Sequence, residues 1–151
     1  NLGIHAIDLC NALLGPGAAP VVTNAAMSNS LAGYDVEDYG LITMKAGRTN
    51  LHVESGYAYP GERGVYDMHL TFRTDRHYFI AHDADTFEVV DDDKNREIRK
   101  FATTNMACYP VFVSDVLRRV RDGEPPIADM GDAAAAMKIL ETAYGMAGPL
   151  G

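Results

Sequence analysis

The chain has 151 residues and sets 13 Lys and Arg against 21 Asp and Glu, a formal charge of -8 at pH 7. A single domain of this length buries roughly 68–70% of its unfolded surface and needs no metal or disulfide staple. A hydrophobic fraction of 47% with 23% charged residues excludes disordered and fibrous classes, and the scattered basic residues exclude a phosphate-binding groove, so neither nucleic acid nor an anionic membrane is expected as a partner.

The first predicted element is a helix ending near Leu14. Ile4, Ile7 and Leu14, with Ala6, Cys10 and Leu13, recur at three- and four-residue steps, and Gly15-Pro16-Gly17 stops the helix. His5 lies near its start with Asp8 one turn later. An imidazole titrating near neutrality suits proton transfer from a hydroxyl, and a carboxylate one turn away can orient it. The same pair also suits a plain helix start, and the spacing alone does not decide between them.

From Val21 to Phe101 the apolar period falls to two, as in Leu51, Val53 and Tyr57 and again in Met68, Leu70 and Phe72. Turn signals at Ala32-Gly33, Ala46-Gly47, Pro60-Gly61, Thr74-Asp75 and Asp91-Asp92-Asp93 divide the stretch into about seven strands. Their connections are too short for crossover helices, which predicts antiparallel pairing. Tyr57, Tyr59 and Tyr66 flank the Pro60-Gly61 turn, where phenols can contact a polyol or serve as ordinary strand aromatics.

Helix returns after Thr103. Phe112, Val113, Val116, Leu117 and Val120 predict an inward stripe, Arg118, Arg119 and Arg121 a solvated side, and Gly123 with Pro125-Pro126 the end. A last helix is expected from Asp132 as N-cap, with Ala136, Ile139, Leu140, Ala143 and Ala147 on its core side before Gly148. The expected fold is therefore α+β, with an open, mostly antiparallel sheet of about six to eight strands and helices packed on one face.

Other motifs carry less. Asp91-x-Asp93-x-Asn95 is not a calcium loop, because Arg96 and Ala102 stand where the glycine and the bidentate glutamate would be. His69, His77 and His82 match no zinc spacing, so no metal site is expected. Cys10 and Cys108 suit reduced, buried thiols and a cytoplasmic setting. No apolar run reaches the roughly 20 residues that span a bilayer. No G-x-G-x-x-G, P-loop or G-x-S-x-G occurs, so the chain by itself is not expected to cradle a dinucleotide.

Three groups of residues, taken together, carry a resemblance: Asn1-Leu2-Gly3-Ile4-His5-Ala6-Ile7-Asp8-Leu9 with Leu14-Gly15, Tyr109-Pro110 through Arg121-Asp122-Gly123-Glu124-Pro125-Pro126, and Ala143-Tyr144-Gly145-Met146-Ala147. In this order they resemble the C-terminal domain of the Gfo/Idh/MocA oxidoreductases, the family of glucose-fructose oxidoreductase and inositol dehydrogenase. The resemblance implies that residues 1–151 form a single C-terminal domain for substrate binding and oligomerisation. The N-terminal Rossmann domain, with its NAD or NADP and a catalytic lysine in an E-K-P motif, would lie ahead of Asn1. It implies an oxidoreductase acting on a CH-OH group of a sugar, polyol or related compound, assembled as a homodimer or homotetramer through a sheet face, with this portion inactive alone. His5 falls on the family's catalytic histidine. The aspartate four residues earlier falls on Asn1, which can hydrogen-bond a hydroxyl or a ring N-H but brings no charge to an imidazolium. Tyr57 and Tyr66 are the candidate substrate contacts. The family's glycine pair after the strand at Leu70-Phe72 is replaced by Arg73-Thr74-Asp75-Arg76. A noncatalytic dimerisation or sugar-binding module on the same scaffold is the alternative reading.

Overall fold

The computed structural model describes residues 2–30, 35–56, 70–81, 85–100 and 105–150. Their order is α1 (Leu2–Leu14), β1 (Val21–Ser28), β2 (Tyr39–Ala46), β3 (Thr49–Gly56), β4 (Leu70–Arg73), β5 (His77–Ala81), β6 (Thr86–Asp91), β7 (Arg96–Lys100), α2 (Asn105–Asp122) and α3 (Met130–Ala147). The class is α+β, as expected, and all described strand pairs are antiparallel. The seven strands form two meanders, β1-β2-β3 and β4-β5-β6-β7. Two compact units contain them, one of Asn1–Pro60 with Ile127–Gly151 and the other of Gly61–Pro126.

In the first unit, period-two alternation aims Val22, Ile42, Met44 and Val53 at one side, where Ile7 of α1 and Ala136, Ile139 and Ala143 of α3 complete a buried cluster. Cross-strand pairs such as Ile42 with Val53 and Val22 with Met44 place these side chains in register. Burying an aliphatic side chain of this kind contributes roughly 1.5–3 kcal/mol. The opposite side carries Lys45, Asn50, His52 and Glu54, with Thr23 bonded to Thr43 Oγ1 at 3.1 Å. The register slips between Val22 and Asn24, so Thr23 is the extra residue of a β-bulge. β2 and β3 are joined by Gly47 and Arg48, and Gly47 at φ 58° supplies the positive dihedral that a glycine-first two-residue hairpin requires.

α3 starts one turn earlier than its sequence suggests. Asp129 is the N-cap, accepting from the Gly131 and Asp132 amides, while Asp132 occupies N3 and accepts from the Asp129 amide at 2.8 Å. This reciprocal capping box corrects the expectation that Asp132 is the cap itself.

In the second unit Phe72, Phe79 and Phe87 share one sheet face, the first two stacked with centroids 4.2 Å apart. On the other face Glu88 is buried and pairs with Arg96 of β7, while Arg73 lies 4.6 Å from the Tyr78 ring. The acids at 91–93 belong to the β6–β7 hairpin, where Asp91 accepts from the backbone and side chain of Asn95, consistent with a solvated turn. The Asn95 bonds hold the Asp91 carboxyl below the usual range.

α2 ends at Gly123, φ 68°, with the Arg119 guanidinium on the Pro125 carbonyl. Its apolar residues are not inward. Phe112, Val113, Val116, Leu117 and Val120 are all exposed among the described residues. Cys108 is likewise exposed rather than buried, whereas Cys10 is half-buried and burial pushes its thiol pKa up.

Candidate active-site helix

α1 is held by one face. Ile7 is fully buried, Ile4, Ala6 and Cys10 pack beside it, and a Cβ at Gly3 would lie 3.5 Å from the Ser55 Cβ at the end of β3. A helix advances about 100° per residue, so the positions between these anchors must turn outward. His5 and Asp8 do so, and both are exposed. Among the described residues no side-chain hydrogen bond joins the His5 ring to Asp8 or another neighbour, so Asp8 does not orient the ring in this structure. The imidazole stands on the exposed side of a helix anchored by Ile7.

Next to this first turn the ends of β2 and β3 leave a small recess of about 40 Å³, lined by Gly3, Ser55, Gly56, Tyr39, Glu37 and Asp38. Asp38 is buried and its amide donates to the Ser28 carbonyl at 2.9 Å, while Tyr39 Oη donates to Glu54 at 3.1 Å. These residues were not singled out by sequence reasoning. Their only sequence signal is the run Asp35-Val36-Glu37-Asp38-Tyr39 between two apolar strands. The recess holds water-sized groups and is too small for a sugar ring.

Three predicted site residues, Asn1, Tyr57 and Tyr66, lie outside the described residues, as do His69 and His82. Among the described residues no three His, Cys, Asp or Glu side chains gather as metal ligands, and no helix is long and apolar enough to cross a membrane. The described strands are linked as antiparallel meanders, and no strand–glycine loop–helix unit of the kind that holds a pyrophosphate occurs among them. The described residues therefore do not fit a nicotinamide nucleotide by themselves.

Comparison with solved structures decides the fold. The chain superposes on UDP-N-acetylglucosamine 3-dehydrogenase GnnA of Acidithiobacillus ferrooxidans with a TM-score of 0.67 at 19% identity, covering 98% of this chain and 45% of that one. It matches the protein YvaA of Bacillus subtilis at TM-score 0.72 and 15% identity, over 97% and 49% of the two chains. An oxidoreductase of Bacillus cereus matches at 0.69 and 15%, over 98% and 49%. The chain shares its α+β fold with part of each of these solved oxidoreductase structures, in keeping with the resemblance to the C-terminal domain of the Gfo/Idh/MocA family. It spans about half the length of the solved structures it matches. No protein-family model and no curated protein matches it. At these identities the likeness concerns the fold, and the chemistry must be argued from residues.

Proposed function

We propose that this chain is the substrate-binding and assembly domain of an NAD(P)-dependent oxidoreductase acting on a CH-OH group of a sugar, polyol or related hydroxy compound, with His5 as its proton-transfer residue. The single observation that carries the reading is His5 itself, exposed and without a hydrogen bond among the described residues, on a helix anchored by Ile7. On this helix an imidazole on the outer side is held on a fixed support and is accessible to a substrate hydroxyl.

Oxidation of a secondary alcohol requires a base within hydrogen-bond reach of the hydroxyl proton, and neutral imidazole serves near pH 7. Asn1 is assigned the hydrogen-bonding position beside it, and Tyr57 and Tyr66 the substrate contacts, all three from the sequence pattern. The nucleotide is assigned to a Rossmann domain outside this chain, and no step through it is ascribed to these residues. That one structural neighbour is a UDP-N-acetylglucosamine 3-dehydrogenase supports a sugar-like substrate.

The test is His5→Ala in the full-length enzyme. Turnover should fall by roughly 10²–10⁴-fold, the usual size of a general-base contribution, with dinucleotide affinity and melting temperature unchanged. An unaltered kcat would remove His5 from the chemistry.

A further inference from the structure

The first turn of an α-helix leaves amide groups without intrahelical partners and forms the positive end of the helix dipole. α1, which bears His5, has no Asp or Glu in its own first turn to answer that charge. A carboxylate comes instead from the connection into β2. Asp38 is 4% exposed, and together with Gly3 of α1 and Ser55 of β3 it lines the recess of about 40 Å³ at the end of the first sheet. A recess of that size has room for only about one to three water molecules, so Asp38 and the first turn of α1 share the walls of one narrow space. Taking a carboxylate out of water is costly unless a favourable charge or dipole faces it, and the positive end of α1 is such a dipole.

The segment that bears Asp38 is tied to its neighbours on both sides. The Asp38 amide donates to the Ser28 carbonyl of β1 at 2.9 Å, and the adjacent Glu37 carboxylate accepts from the Tyr144 hydroxyl of α3. Tyr39, the next residue, opens β2 and pairs with Gly56 of β3. The Asp38 carboxylate is therefore presented from a fixed point of the sheet. On α1, Gly3 and His5 lie about 200° apart around the helix axis, which puts the recess and the imidazole on opposite sides of the helix. Asp38 can act on His5 only through the turn to which both Gly3 and His5 belong. We infer that Asp38 is a positioning residue: its buried carboxylate holds the positive end of α1 against the sheet and so fixes where the His5 ring stands. The inference rests on the reading of His5 as the proton-transfer residue. Its leverage is large, because displacing a catalytic group by about 1 Å can cost on the order of 10²-fold in rate.

The experiment is a double-substitution cycle in the full-length enzyme, with circular dichroism as the control for folding. Asp38→Ala should lower kcat by roughly 10–10²-fold with the KM for the dinucleotide unchanged. Asp38→Asn, which keeps the shape and an acceptor oxygen but not the charge, should lose about three- to tenfold. In a His5→Ala background neither substitution should lower kcat further, because a residue that acts through His5 has nothing left to place. Hydrogen exchange at the amides of residues 5–7 should quicken in both Asp38 variants, while exchange at Ile139 and Ala143 of α3 stays as in wild type. If Asp38→Ala does not fold, Asp38→Asn decides by the same measurements. Folded Asp38 variants with the wild-type kcat, an equal further loss in the His5→Ala background, or unchanged exchange in α1 would each overturn the inference. A His5→Ala enzyme with full turnover would instead remove the role of His5, and the exchange measurement, which does not depend on turnover, would still decide whether Asp38 holds α1.

Discussion

Tyr144 has a strongly raised pKa. Partial burial comes first, and its hydrogen bond to the Glu37 carboxylate adds to it, since a phenolate there would face a negative charge; together they push its pKa up to about 12. A raised folded-state value means that the neutral phenol stabilises the fold fully below the unfolded value near 10. That contribution is then lost as pH rises from about 10 to about 12. Alkaline unfolding should therefore be less steep in Tyr144→Phe than in wild type across that window, measured as urea midpoints against pH. Equal slopes would show that the Glu37 contact does not persist in solution. At this scale the sequence was a partial guide. His5 and Asp8 were readable because Ile4, Ile7 and Cys10 define which side of α1 turns inward. The burial of Glu88 was not: its contact with Arg96 depends on the β6–β7 register, which sets Glu88 opposite Ile98 and Arg96 opposite Val90, and no local pattern encodes that alignment.

Among the elements, α3 offers the cleanest test of how its start is held. The Asp129 carboxylate accepts two amide bonds, at 2.6 and 3.1 Å, whereas Asp132 accepts one. Asp129→Ala should lower stability by about 1 kcal/mol, the usual value of an N-cap, and Asp132→Ala by less. Urea unfolding of the two variants checks the order, and a larger loss at Asp132 would return the cap to that residue. The sequence showed a good capping residue but not which of two aspartates three positions apart begins the helix, because each satisfies one half of the same box. The strand limits fared better among the described residues, since β2 ends at Ala46 before Gly47, Thr74-Asp75 lies between β4 and β5, and β6 ends at Asp91 before Asp92-Asp93. The stripe of α2 was legible as a stripe, while its destination was not. Periodicity reports that a face is apolar, and only the surrounding elements determine whether that face is covered within the chain.

For the molecule as a whole, the order helix, strands, helix, helix and the antiparallel pairing of neighbours follow from period and connection length. The grouping of strands into two meanders does not, because alternation looks the same whether β3 continues to β4 or stops. Each unit draws its stability from different residues: an aliphatic cluster around Ile7, Ile42 and Met44 in one, the Phe72-Phe79-Phe87 face in the other. Two positions on α1 measure the first of these. Ile7 is fully buried and Leu13 is 51% exposed, although both belong to the apolar pattern of the helix. Ile7→Ala removes buried methyl groups and leaves a cavity between α1, α3 and the sheet, so it should cost about 2–5 kcal/mol. Leu13→Ala removes surface that water already reaches, and alanine has the higher helix propensity, so its effect should stay within about 0.5 kcal/mol. Urea denaturation followed by circular dichroism compares them directly, and similar losses at both sites would mean that Leu13 is covered in solution, by another copy or by a longer chain.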